Sequence, residues 1–495
     1  MFGVDWANQH VFVNDCQPRA DRLVSLLFRA IVGFLVGLAT WSISTTAGAA
    51  AEDHRRPNVL FLAIDDLNDW TQFLDGHPDT LTPHLNRLAE RGLIFERAYC
   101  SAPACNPSRA SLLCGVRPST SGVYHNDQPW RPAMPEAATL PQHFMAHGYR
   151  AVGGGKIFHG AFKERASWHE YFERGGDPLP ANRPLNGIPG AAHFDWGAVD
   201  AADEEMGDAR VVHWASEFLQ REHDAPFFLA VGLYRPHLPW YVPKQYFDRF
   251  DVQRVTLPEV PDGDLNDVPA AGVRMARPAG DHRKVTETDN WRRAVQGYLA
   301  SIHFTDAMVG RLLDALDGSR YADNTIIVMW GDHGWHLGEK RHWRKFTLWE
   351  EATRVPLVIA APGVTTAGTR CGRTVTLLDL YPTLCELCDL PLGEDLEGDS
   401  LLPLLTQPQA AWDRPAVTTH GRHNHTVRTE RYRYIRYADG SEELYDHDHD
   451  PMEWTNLAGD EKLADVKQVL ARWLPEVNAP DAQPRGRNRR ARQPQ

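Results

Sequence analysis

Pro57-Asn-Val-Leu-Phe-Leu-Ala-Ile64, running straight into Asp65-Asp66, is the stretch on which the fold reading turns. A strand with one wet face alternates apolar and polar residues. A run apolar throughout predicts a strand covered on both faces, as in a parallel sheet. The same grammar recurs in Asn324-Thr-Ile-Ile-Val-Met-Trp330, which ends in Gly331-Asp332-His333-Gly334. Open α/β sheets bind ligands at the carboxyl ends of their strands. Two buried strands that both release acidic residues there point to one shared site. Residues 225–232 and 355–361 read as further strands, and Val295, Leu299, Ile302, Val309, Leu312 and Leu316 mark a helix over 291–316. Segment 251–290, rich in Pro, Gly and Asp, reads as a long surface excursion. The expectation is an α/β domain over 52–405 with a mostly parallel central sheet flanked by helices.

Beyond residue 405 the texture changes. Tyr432 to Tyr437 alternates with period two, Asp439-Gly440 supplies a hairpin turn, and Glu443-Leu-Tyr445 returns. This predicts a small C-terminal antiparallel-sheet subdomain over 406–478, with a helix from Lys462 to Leu474. Residues 479–495 are expected to be a basic, disordered tail, with five arginines between 485 and 492.

The balance of 52 basic and 65 acidic residues gives a net charge of −13, which disfavours a nucleic-acid partner. A hydrophobic content of 42% excludes disordered and multi-span membrane classes. At the amino terminus, Arg22 and Arg29 lead into the apolar run 30–39 and an Ala-rich stretch at 47–51. That pattern reads as a signal peptide over 1–49, too short for a membrane span. The implied location is periplasmic or extracellular (a lysosomal-type lumen in a eukaryote), without stable membrane insertion. Export permits disulfides, so Cys100 with Cys114, or Cys371 with Cys385 or Cys388, are candidate pairs.

The strongest chemical signal is Cys105-Asn-Pro-Ser-Arg109-Ala-Ser-Leu-Leu-Cys-Gly115. Pro107 suits the first turn of a helix, which puts Cys105 by an N-terminus whose free N–H groups favour an anion. Arg109, one turn on, returns to the same spot. This C-x-P-S-R motif, followed by x-S-L-L-x-G, resembles the signature of the sulfatase family. Cys114 stands where that family usually has Thr. Gly148-Tyr149 through Gly155-Lys156-Ile-Phe-His159 resembles the second sulfatase signature, in a form similar to the iduronate-2-sulfatase branch. Tyr234-Arg-Pro-His237, Gly334-Trp-His-Leu-Gly-Glu339 and Trp343-Arg-Lys345-Phe point the same way, as does the ending at 443–457.

The resemblance implies an alkaline-phosphatase-like sulfatase core and a sulfuric-ester hydrolase. Cys105 would be oxidised to formylglycine by a formylglycine-generating enzyme, and its hydrated form would attack the sulfur of the ester. Asp65, Asp66, Asp332 and His333, together with residue 105, would hold a divalent metal. Hard oxygen ligands suit Ca²⁺, with Mg²⁺ second. Arg109 belongs to the implied catalytic set, and Lys156 and Lys345 would contact sulfate oxygens, although Lys340 and Arg341 stand close to Lys345 in the chain. His237 would assist the leaving group and His159 would hold the formylglycine hydroxyl or help expel sulfate. Asn126, Trp130 and Arg131 are candidates to line a sugar pocket. The expected substrate is a sulfated carbohydrate, a 2-O-sulfated uronate in particular. A locally basic pocket supplied by Arg109, Lys156 and Lys345 is expected to offset the acidic chain. A phosphate or phosphonate monoester hydrolase on the same core, and a non-catalytic sulfated-glycan binder, are the alternatives. His423, His425, His447 and His449 read as turn or strand-start residues rather than ligands.

Overall fold

The computed structural model describes residues 56–483, apart from 192 and 394. The expected signal peptide and the stretch 484–495 lie outside the described residues. The apolar runs form strands β1 (Asn58–Ile64), β2 (Leu93–Tyr99), β3 (Arg150–Gly155), β4 (Glu170–Phe172), β5 (Phe227–Leu233), β6 (Thr325–Gly331), β7 (Arg354–Ala360) and β8 (Thr369–Thr376). They make one eight-stranded sheet in the order β8-β2-β7-β6-β1-β5-β3-β4. All neighbours are parallel except β7, which runs antiparallel to both β2 and β6.

The continuous apolar character of β1 follows from its central place. Leu60, Leu62 and Ile64 pack on one face with Leu299, Ile302 and Val309 of the helix Trp291–Asp317 and Phe218 of the helix Gly207–Gln220. Val59, Phe61 and Ala63 pack on the other with Leu112, Leu113, Phe144 and Leu384. Each large side chain buried this way contributes about 1.5–3 kcal/mol, so after Asn58 the strand holds no polar residue until it ends at Asp65.

Segment 251–290 is less open than its composition predicts. It carries two short helices, Ala270–Ala276 and Asp281–Glu287, and buries Val268, Ala271, Ala276 and Val285. Trp130 differs from the sugar-pocket expectation. It is 1% exposed, stacks on Phe158 with ring centroids 5.3 Å apart, and donates its indole N–H to the Phe162 carbonyl at 2.9 Å. Arg131 pairs with Glu164 at 2.8 Å and donates to the Ala137 carbonyl at 2.7 Å, so its donors serve the local turn. The six described cysteines are free and buried, so none of the three candidate pairs forms. No helix among the described residues is long and apolar enough to cross a membrane.

A four-stranded antiparallel sheet follows: β9 (Ala416–Thr419), β10 (His425–Arg428), β11 (Tyr432–Arg436) and β12 (Glu442–Asp446). The helix Ala464–Ala471 packs Leu470 with Val427, Tyr434 and Leu444. Residues 479–483, expected in the disordered tail, are tied down instead. Ala479 and Ala482 donate backbone N–H groups to Ser119 and Gly122 carbonyls, each at 2.8 Å.

Arg433 fastens the small sheet to the core. Fully buried, it pairs with Glu350 and Glu453 and donates to the Leu348 carbonyl at 2.9 Å. Removing one partner of a buried ion pair strands the other charge and costs about 3–5 kcal/mol. Arg433→Ala should therefore lower the urea midpoint by a matching amount. A loss below about 1 kcal/mol would mean that the network is not holding the sheet in place.

Candidate active site

Strands β1 and β6 are parallel neighbours with Ile64 opposite Gly331. Asp65-Asp66 and Asp332-His333 therefore leave the sheet side by side, all four fully buried. Asp66 adopts φ 60°, a left-handed conformation uncommon outside glycine. It is held there by the long helix: the Tyr298 hydroxyl donates to the Asp66 carbonyl at 2.7 Å and accepts the Asn68 N–H at 3.0 Å. The Asp66 N–H itself donates to Asp332 Oδ1 at 3.0 Å.

Cys105 opens the helix Cys105–Cys114. Its Sγ lies 3.0 Å from Lys345 Nζ, 3.3 Å from His333 Nε2, 3.7 Å from Lys156 Nζ and 3.9 Å from Asp66 Oδ1. Burial pushes the thiol up to about 12, outweighing the two lysines, so residue 105 as cysteine is a protonated, poor nucleophile. The chain leading to it is pinned by β9, where Thr419 N–H donates to the Ser101 carbonyl at 2.9 Å, and by Phe346 N–H on the Pro103 carbonyl at 3.1 Å. Asn126 serves this helix rather than a ligand, its Oδ1 accepting the Asn106 N–H at 2.9 Å.

Arg109 differs from its expected role. Its Nε donates to Asp332 Oδ2 at 2.8 Å, Nη2 to Asp65 Oδ1 at 3.1 Å, and Nη1 to the carbonyls of Ile157 and Lys156. A fully buried guanidinium with four of its five N–H groups on these acceptors orients the carboxylates and presents no exposed charge to a basic pocket. Lys156 follows a glycine that no other residue could replace. Gly155 sits at φ 80°, and a Cβ there would lie 2.0 Å from the Gly232 carbonyl oxygen. This close approach carries Lys156 onto Asp65. Burial would lower the lysine, but Asp65 holds it up at about 12. Burial likewise opposes ionisation of Asp65, yet Lys156 and Arg109 hold it well below the usual carboxylate range. Asp66 is pushed up to about 7 by burial, Lys345 opposing and Asp65 adding.

Lys345 is the lysine that reaches the site, 2.6 Å from Asp66 Oδ1. Lys340 instead pairs with Asp264 at 2.7 Å and donates to the Glu453 carbonyl. His333 and His237 are both neutral through burial. Each points Nδ1 at a backbone carbonyl, Gly334 at 3.0 Å and Leu238 at 2.5 Å, which selects the Nδ1–H tautomer. The His333 Nε2 lone pair then faces Asp66 Oδ1 at 3.3 Å and Asp332 Oδ1 at 3.5 Å, while His237 Nε2 is 3.8 Å from Asp66 Oδ2. His159 lies near Lys156; burial lowers it to about 4, and its buried Nδ1 has no hydrogen-bond partner.

Acceptors gathered without a proton between them repel, and Asp66 Oδ2 is buried with no donor. Asp65, Cys105, Asp332 and His333 offer ligand atoms within 4.8 Å of one another, as do Asp65, Asp66, Cys105 and His237. This donor set fits a divalent cation rich in oxygen ligands. His447 also falls in such a group, with Glu350 and Glu453, but Arg433 pairs with both glutamates and Arg428 adds a second cation on Glu350 at 3.1 Å.

The sequence reading missed what holds His237. Asp208 accepts the backbone N–H groups of Tyr234 and Arg235 at 2.9 and 2.8 Å. The Arg235 side chain pairs with Asp177 at 2.6 Å and donates to the His237 carbonyl at 2.7 Å. Arg235 lay within the Tyr-Arg-Pro-His motif, whereas nothing local marks Asp177 or Asp208.

The sulfatase family profile matches residues 57–390, and that of the C-terminal part of N-sulphoglucosamine sulphohydrolase matches 338–479. A sulfatase of Formosa agariphila is 38% identical over 86% of this chain and 87% of its own. Human iduronate 2-sulfatase is 28% identical over 88% of this chain and 98% of its own. Among solved structures, the phosphonate monoester hydrolase of Agrobacterium radiobacter superposes with a TM-score of 0.71 at 23% identity, covering 84% of this chain and 94% of that one. The last likeness speaks for the shared sulfatase and alkaline-phosphatase-like α/β fold alone. The extent of the profile match and the 38% relative decide the family: the chain belongs to the sulfatases, enzymes that hydrolyse sulfate esters.

Proposed function

We propose that this sulfatase removes sulfate from a sulfated saccharide, a 2-O-sulfated uronate in particular, with residue 105 acting as formylglycine. The observation that carries the reading is the ring of Lys345, His333, Lys156 and Asp66 within 3.9 Å of Cys105 Sγ. The Gly155-Lys156-Ile-Phe-His159 form and the likeness to iduronate 2-sulfatase favour the uronate. The amino-terminal pattern favours an exported protein, and the modification calls for a formylglycine-generating enzyme as partner.

Formylglycine, once formed and hydrated, supplies a hydroxyl nucleophile for the ester sulfur. Asp65, Asp66, Asp332 and His333 would hold a divalent ion, Ca²⁺ by the donor set, which supplies positive charge against the sulfate oxygens. Lys156 and Lys345 flank residue 105 and place fixed positive charge where negative charge develops in the transition state. Arg109 keeps Asp65 and Asp332 aligned. His237 Nε2, a lone pair in the tautomer set by the Nδ1 contact to Leu238, would first take up a proton and then deliver it to the departing alcohol. His159 has its own unpartnered nitrogen for the hydroxyl of residue 105.

The direct test is sulfate release from oligosaccharides ending in 2-O-sulfated uronate, beside an aryl sulfate and a phenyl phosphonate. The protein is made together with a formylglycine-generating enzyme. The uronate should be the best substrate, and Cys105→Ala should lower its turnover by at least about 10³-fold. Preferred cleavage of the phosphonate would transfer the site to the other ester class. Turnover surviving in Cys105→Ala would remove residue 105 from the chemistry.

The two lysines separate by the same assay. Lys345→Ala should lower kcat by about 10²–10³-fold, the size seen when one transition-state donor is lost. Lys340→Ala should leave kcat within about threefold and lower only stability, by about 3–5 kcal/mol, through Asp264. The reverse ranking would place the sulfate elsewhere.

A further inference from the structure

Beside the Cys105 site the chain forms a solvent-open cleft of about 950 Å³, within the size range of small-ligand sites. Its walls come from segments distant in sequence: the helical excursion at 271–281, residues 342–346 around Lys345, and the turn between β9 and β10 at 420–424. It shares a wall with the reaction site. Arg344 and Phe346 flank Lys345, and His342 Nε2 lies 2.7 Å from the Lys345 carbonyl. The His125 carbonyl accepts from the Asn106 side chain, in the first turn of the Cys105 helix, at 3.0 Å.

The lining carries Arg274, Arg277, Arg344 and Arg422 against Asp281 and Asp481, four positive charges to two negative, in a chain of net charge −13. The pairing inside it is uneven. Arg344 is spent on Asp281 at 2.7 Å, Arg274 turns to Asp439 at 3.3 Å, and Asp481 faces His125 at 3.9 Å. Arg277 and Arg422 have no carboxylate partner among the described residues. Arg422 donates Nε to the Asn478 carbonyl at 3.0 Å, which steadies the side chain and leaves its terminal N–H groups available. Phe346 and His420 supply an aromatic wall, their ring centroids 5.8 Å apart, and His420 Nδ1 is buried without a partner. Two unpaired guanidiniums in a concave, partly aromatic site suit planar or tetrahedral anions such as carboxylate and sulfate.

We propose that this cleft binds a second anionic group of the substrate, borne by the sugar next to the one that loses sulfate, with Arg277 and Arg422 as its charged contacts. The proposal rests on the reading of the Cys105 site as one for sulfated saccharides. It makes the enzyme selective for chains carrying charge on adjacent sugars over isolated sulfated monosaccharides. It also answers how an acidic protein takes a polyanion. This wall adds positive field to that of Lys156 and Lys345, because Arg109 is occupied by the buried carboxylates.

Calorimetric titration of Cys105→Ala protein, which cannot turn substrate over, tests it with three disaccharides. Each carries the 2-O-sulfated uronate, and the neighbouring sugar bears a sulfate, a carboxylate or neither. One or both charged forms should bind about 10–100-fold more tightly than the neutral form, and which of them does so identifies the anion. Adding Arg277→Ala and Arg422→Ala should abolish the difference while leaving the neutral disaccharide's Kd unchanged. Both arginines are exposed, so the melting temperature should hold. The conservative pair Arg277→Lys and Arg422→Lys should restore part of the preference. Equal binding of all three disaccharides, or a preference that survives the double alanine change, would overturn the proposal. If the preference appears and is lost as expected while active enzyme frees sulfate from none of the three, the substrate reading falls and the cleft assignment stands.

Discussion

The guanidinium of Arg109, bridging Asp65 and Asp332 in a fully buried setting, is the contact on which the site depends. Three carboxylates and three cations (Asp65, Asp66 and Asp332 against Arg109, Lys156 and Lys345) converge where strands end and water is excluded. Removing such charges from water costs several kcal/mol each, recovered only with close, well-directed partners. The arrangement therefore constrains the surrounding backbone. Asp66 must turn into a left-handed conformation, Gly155 must lack a side chain, and Tyr298 must reach across from the long helix. A rigid, pre-aligned field is also what a sulfuryl-transfer transition state requires.

Much of this was legible because one constraint wrote both signals. Parallel strands covered on both faces must be apolar until they end, so the acids at 65, 66 and 332 announced both the sheet and the site. The Cys105 motif and the Gly-Lys pair were visible because each joins a backbone requirement to a chemical one. The orientation of β7 was not legible, since a buried run reads the same in either direction. Trp130 and Arg131 show the limit for ligand contacts. An aromatic-basic pair after a catalytic helix looks like a sugar platform, yet the indole faces Phe158 and the guanidinium faces Glu164. Only tertiary packing decides between these uses.

The small C-terminal sheet does more than cap the core. Through β9 it steadies the approach to Cys105, and through Arg433 it grips Glu350 and Glu453. Between these anchors the chain at 340–346 takes positive φ at Lys340, Arg341, Arg344 and Phe346. Four such residues in seven store strain of about 1–3 kcal/mol each, which the surrounding packing must offset. The outcome separates two lysines five residues apart, sending Lys340 to Asp264 and Lys345 to residue 105. Spacing along the chain does not carry that distinction.

On the proposed reading these charges serve an oxidised residue 105 and not a thiol that burial holds protonated. Peptide mass analysis of residue 105, on preparations made with graded amounts of a formylglycine-generating enzyme, tests it when set against sulfate release by the same preparations. Turnover should be proportional to the aldehyde fraction and extrapolate to zero in all-thiol protein. Undiminished turnover in protein whose residue 105 is entirely thiol would contradict it.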